Sequence, residues 1–222
     1  MQVKIHDRAD LKVARLLGLL LLIVALFHVT SVIVTHVFPG SALAQLAPWF
    51  DVDNERNVPT AYNGFLWAAS AYMLVLLAVR EQRFGQRLRW GLLGILFLYF
   101  GFDELLVLHE RLAEPIRDFL SISDTSIFYH AWIIVALGVT IGLGGLFLAF
   151  RRRDRISREQ KSILKLVLIL AAGTILLEAL GTQVYFSPTV YKLGPVMIEE
   201  LFEMSMISFI LYRLTQLVHL NR

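Results

Sequence analysis

Six apolar stretches, each close to the ~20 residues that a helix needs to cross a ~30 Å hydrocarbon core, set the terms for this chain. They run roughly over residues 14–38, 62–79, 90–112, 128–150, 163–186 and 193–218, the second being the shortest. The expectation is an all-α, polytopic membrane helical bundle of about six transmembrane helices, forming a single domain over residues 1–222. No soluble domain, linker or low-complexity segment is left over. A hydrophobic content of 57% and a mean hydropathy of +0.63 place the chain in the membrane class.

Basic residues orient the spans. All but Arg56, Arg111, Arg117 and Lys192 of the 21 Lys and Arg fall on one side of the predicted membrane. By the positive-inside rule both termini are then cytoplasmic, in a multi-pass inner-membrane protein. A net charge of +3 does not signal nucleic acid, because the basic residues sit in short clusters between apolar runs. With no cysteine, disulfides, thiolate metal sites and cysteine nucleophiles are excluded. Ala42-Leu43-Ala44 has the form of a signal-peptidase site, but the apolar run before it approaches 25 residues, against about 7–15 in signal peptides, so the first run is read as a span.

Against this background the acidic residues stand out. Asp103, Glu104 and Glu110 lie in the third stretch with His109, Glu178 in the fifth, and Glu199, Glu200 and Glu203 in the sixth. At 1.5 Å per residue, Asp103 and Glu104 lie about 20 Å along the outward third span, and Glu178 about 22 Å along the outward fifth. The sixth span runs inward and places Glu199 and Glu200 about 10 Å deep and Glu203 about 15 Å. These groups therefore share a layer of the outer half. Asp103 and Glu110, seven apart, fall on one helical stripe, and Glu199, Glu200 and Glu203 on one face. His28, His36 and His130 add nitrogen donors at mid to outer depth, His28 being expected to hydrogen-bond a neighbouring helix.

A charged carboxylate at the centre of a spanning helix costs about 2.5–3.5 kcal/mol on insertion scales. Lys and Arg would be the ordinary compensation, yet the outer halves of spans three, five and six offer only Arg111, at the very end. The counter-charge is then protons, a bound metal ion or a transported cation. A carboxylate-rich, histidine-poor set suits hard or borderline divalent metals, so Asp103, Glu104, His109, Glu110, Glu178, Glu199, Glu200 and Glu203 are the candidate ligands of iron, manganese, zinc or calcium. A purely structural polar network is the remaining alternative.

Residues 50–64, FDVDNERNVPTAYNG, carry Asp51, Asp53 and Glu55 at alternate positions, like the opening of a calcium loop, but Arg56 and Tyr62 stand where an EF-hand needs Gly and Glu. The segment is read either as a solvated acidic turn or as a cap that lends Glu55 or Asn57 to the site. Gly138 and Gly142 form a GxxxG of the kind that brings helices close. DELL and EELF invite an inverted repeat, but both lie on the same side of the midplane, which argues against one. No Walker, Rossmann, GxSxG or HExxH pattern occurs, which removes nucleotide-driven transport, dinucleotide chemistry, nucleophile-elbow hydrolysis and zincin proteolysis.

The residues ERNVPT before span two, DELLVLHE in span three and EELFEM in span six resemble a family of polytopic bacterial inner-membrane proteins with DExxxxHE and EExxEM motifs. The resemblance covers nearly the whole chain and implies fold and location, without a catalytic role. Two functions follow as expectations. One is a membrane-embedded metalloprotein, with metal-bound water acting on a lipid or quinone-like substrate from the bilayer. The other is a proton- or cation-coupled transporter or channel, which the apolar cytoplasmic half disfavours as a through-pathway.

Overall fold

The computed structural model describes residues 2–122, 134–135, 137–139, 141–142, 145, 156–181 and 192–220. Among them there is no strand. A long α1 (Gln2–Val37) is followed by a short α2 (Ala42–Leu46) and a 3-10 turn (Ala47–Trp49). Then come α3 (Val58–Arg80), α4 (Phe84–Leu106), α5 (Leu108–Leu120) and α6 (Arg158–Gly181), and a π-helical turn (Lys192–Val196) that leads into α7 (Met197–Leu220). Among the described residues four segments are long and apolar enough to cross a membrane: Leu11–Val37, Val58–Arg80, Arg158–Leu180 and Lys192–Leu220. A bent pair, Phe84–Leu106 with Arg111–Leu120, makes up to five. The expected stretch 128–150, His130 included, lies for the most part outside the described residues; Gly138 and Gly142 are described, and a Cβ built on either meets none of the described residues within 4 Å.

The third stretch departs from expectation. The sequence reads as one continuous span over 90–112, whereas the helix ends at Leu106 and Val107 adopts a left-handed conformation (φ 56°, ψ 46°). The axes on either side make an angle of 93°. A β-branched residue in that conformation costs on the order of 1–3 kcal/mol, so the break is imposed by its surroundings rather than by local preference. Val107 is buried, and its N–H donates to the Asp103 carbonyl at 2.7 Å.

Apolar packing is continuous through the bundle. Leu66, Trp67, Ala71 and Leu74 of α3 meet Leu93 and Phe97 of α4, Ile163 and Leu170 of α6, and Ile207, Ile210 and Leu214 of α7. Outward, α1 exposes Leu16, Leu19, Leu22 and Leu26 along one stripe, a face suited to lipid. In lipid, helix association depends on close fit more than on apolar burial. Glycines supply that fit at two contacts. A Cβ on Gly101 would lie 3.2 Å from the Trp67 Cβ, and one on Gly173 would lie 2.3 Å from the Phe202 ring.

At the end of the bundle where α3 meets α4, polar groups tie helices together. Arg80 donates to the Val218 carbonyl of α7 at 2.8 Å. Arg89, fully buried, donates through Nε to Gln160 Oε1 of α6 at 3.1 Å, and Gln160 donates back to the Gln86 carbonyl at 2.9 Å. The other end is arranged differently, and the candidate site lies there.

Candidate functional site

A cavity of ≈ 140 Å³ opens between α3, α4, α6 and α7 in the half of the bundle remote from the α3–α4 turn. Its deeper wall is apolar, from Trp67, Leu96, Phe100, Val167, Leu170 and Met204. Its upper wall is acidic: Asp103 and Glu104 come from the last turn of α4, Glu178 from the last turn of α6, Glu199, Glu200 and Glu203 from the first two turns of α7, and Glu55 from the loop before α3. None of the described residues lining it is Lys or Arg. The six acids carried by helices are half-buried, and Glu55 on the loop is exposed.

Seven of the eight residues expected at the site therefore line one space, and the Glu110 side chain lies outside the described residues. How they get there differs from the helical-phase argument. The stripe expected to join Asp103 and Glu110 is interrupted at Val107. The same break turns His109 back toward α4, so that its Nδ1 sits 3.1 Å from Asp103 Oδ2. On an unbroken helix His109 would be about 140° round from Glu104. The left-handed Val107 converts two sides of a helix into one wall.

Several polar atoms on or beside the wall have no partner. Asp103 Oδ1 and the Thr174 hydroxyl, both in lining residues, are buried without a hydrogen bond. Asn63 on α3 is fully buried beside the Glu104 carboxyl, and neither of its amide atoms completes a hydrogen bond of good geometry. Buried polar groups are almost always satisfied, so three such residues at one cavity mark a place built to receive something. Glu178 and Glu199 come within hydrogen-bonding reach of each other.

Above the cavity the 51–57 loop is part cap and part solvated turn, with Asp53, Glu55 and Arg56 exposed. Asp51, Val52 and Asn57 are buried. The Val52 N–H donates to His28 Nδ1 at 3.2 Å, while His28 Nε2 donates to the Lys192 carbonyl at 3.2 Å. Lys192 in turn reaches Asp51 Oδ2 at 2.5 Å and Asp53 Oδ2 at 2.9 Å. One imidazole and one ammonium thus fasten α1, the loop and the turn before α7. Burial would raise the Asp51 pKa, but the Lys192 ammonium and the Asp53 N–H, donated to Oδ1 at 3.1 Å, outweigh it and hold the carboxyl down at about 2. Asn57 caps α3 by accepting from the Thr60 N–H at 3.1 Å, and its amide donates to the Asp51 and Pro48 carbonyls at 2.6 and 3.1 Å. Glu55, carried by this loop, reaches the cavity.

Sequence reasoning left Glu55 as one of two alternatives and did not find Asn63, Thr174 or Trp67. Asn63 had a signal, an amide at the second residue of the predicted span 62–79. Thr174 and Trp67 had none, since both residue types are ordinary in membrane helices. Lys192 was counted as an outer-loop residue, and its pairing with Asp51 and Asp53 leaves the cavity acids without it. His28 does hydrogen-bond other segments, whereas His36 is exposed on α1.

Among the described residues no group of three or more His, Asp and Glu is arranged to hold a metal ion. The acids surround a space rather than converge on a point. The chain belongs to a family defined as a domain of unknown function (DUF8692), whose model matches residues 14–217. No curated protein and no solved structure matches it.

Proposed function

We propose that this chain is a multi-pass inner-membrane protein, with six spans and both termini cytoplasmic, that admits a cation from the extracytoplasmic side into its carboxylate-lined cavity. One observation carries the reading: seven acidic side chains from four segments line a single space whose described wall has no Lys or Arg. No Lys or Arg among the described lining residues offsets the like charge on Asp103, Glu104, Glu199, Glu200 and Glu203, an arrangement unfavourable by several kcal/mol, which supports a cavity neutralised by what enters it.

Iron, manganese, zinc and calcium remain the metal candidates. With no ready-made ligand set among the described residues, such an ion would be held through water or by side chains that close on it. Below the cavity, Leu74, Ile207, Ile210 and Leu214 are fully buried, which supports a dead-end site over a conducting pathway.

Thermal unfolding of the full chain in lipid nanodiscs, with Na+, Ca2+, Mn2+ or Zn2+ added, tests the reading alongside elemental analysis. The expected result is a midpoint that rises with at least one cation and ceases to do so in Glu200→Gln and Glu203→Gln. If no cation moves the midpoint, and Glu203→Gln raises it at neutral pH, protons supply the counter-charge and the cation reading fails. Reporter fusions after Arg87 and in the 118–125 loop test the topology; a cytoplasmic reading for the second would reverse it.

A further inference from the structure

The geometry points to an organic cation as the occupant: an ammonium group seated among the carboxylates, carrying an apolar body of on the order of ten non-hydrogen atoms against the aromatic floor. This rests on the cation-binding reading and narrows it to a ligand class.

Size is the first argument. One water needs roughly 10–15 Å³ of such volume, so a cavity of ≈ 140 Å³ holds on the order of ten. A bare ion with ligands at about 2.3–2.6 Å fills a small part of that. Shape is the second. The acids occupy one end, while the other is made by Trp67, Phe100, Leu96, Leu170 and Met204, a surface that gives a hydrated inorganic ion no partners. The Trp67 and Phe100 rings are tilted by 40° with centroids 5.0 Å apart, and an aromatic floor favours a cation bearing carbon substituents. The third is the unpartnered polar set. Asn63, fully buried, turns its amide nitrogen toward the Glu104 carboxyl and leaves its amide oxygen without a donor. The unbonded Thr174 hydroxyl and Asp103 Oδ1 can receive further N–H groups of an ammonium. An ion pair, two neutral acceptors, a further carboxylate oxygen and an apolar cradle together describe an amphiphilic amine.

The test uses the full chain in nanodiscs, read by intrinsic tryptophan fluorescence and by the thermal midpoint. Four probes are compared: 2-phenylethylammonium, its neutral counterpart 2-phenylethanol, Ca2+ alone and Mn2+ alone, with protein-free nanodiscs correcting for partition into lipid. The expected result is saturable binding of the amine, at least about tenfold tighter than the alcohol. Glu203→Gln should weaken it about tenfold and Trp67→Leu about fivefold, as loss of one charge-assisted contact and of one cation–π face implies. Should Glu203→Gln fail to fold, Glu104→Gln serves in its place. Equal binding of amine and alcohol overturns the inference, since the cavity would then be an apolar pocket. Binding of Ca2+ or Mn2+ without the amine also overturns it, yet leaves the cation reading standing. If neither the amine nor either metal binds, both fall together.

Discussion

Two groups of acids lie at the same end of this molecule and are treated in opposite ways. Asp51 and Asp53, in the loop, share the Lys192 ammonium, and Asp51 also has His28 beside it. A short distance below, the described lining residues of the cavity include no Lys or Arg, and His109 is bound to Asp103. Had the fold simply needed to tolerate carboxylates, Lys192 shows how it does so. The contrast separates a latch, where charge is balanced internally, from a receptor, where balance is left to a ligand.

The sharpest way to break that distinction is to remove one charge from each group. Lys192→Met leaves two partly buried aspartates facing each other and should destabilise the protein by about 3 kcal/mol. Glu203→Gln in the cation-free protein should be neutral or stabilising, because it removes one of several repelling charges. Denaturant unfolding in mixed micelles compares them directly. A loss on Glu203→Gln equal to that on Lys192→Met would mean that the cavity acids are structurally paired after all, and the comparison would collapse.

Acid gives the second test. The Asp51 carboxyl sits at about 2 in the fold against 3.8 for the free side chain. A lowered folded value means that the carboxylate stabilises the native state fully above about pH 3.8, and that this is lost as pH falls through about 2. The shift corresponds to about 2 kcal/mol. Wild type should therefore exceed Asp51→Asn by that amount at pH 5, and the two should converge by pH 2. A difference that persists unchanged at the lower pH would place the stabilisation in packing and not in the charge.

Much of this arrangement was legible in the sequence, for reasons that also mark where legibility ends. The helices follow from apolar length, and the shared depth of Asp103, Glu104, Glu178 and Glu200 follows from rise per residue, because both quantities are local. Helical phase failed at Val107, where a residue that disfavours the left-handed region occupies it under tertiary constraint and brings His109 to Asp103. The latch was hidden for a related reason: His28 and Lys192 are 164 positions apart, and only packing of α1 beside the turn before α7 joins them. An acidic loop looks solvated until the ammonium that holds it down is known.

The smallest expected effect concerns two amides six residues apart. Asn57 and Asn63 are both buried at the start of α3, yet Asn57 uses its oxygen and nitrogen in a helix cap and two loop bonds, while Asn63 uses neither. Leucine matches asparagine closely in shape and removes only polarity. At position 57 the change should cost about 1–2 kcal/mol, the worth of a cap and of bonds left unmade. At position 63, in the ligand-free protein, it should be neutral or stabilise by up to about 1 kcal/mol, since an unmet polar group disappears. The same Asn63→Leu protein should then respond less to any ligand that stabilises the wild type, because the orphan amide is part of what the cavity offers. Thermal midpoints with and without ligand, for both variants, decide it. A substantial loss at position 63 without ligand would mean that Asn63 already has a structural partner, and the unpartnered wall would no longer be evidence for a receptor.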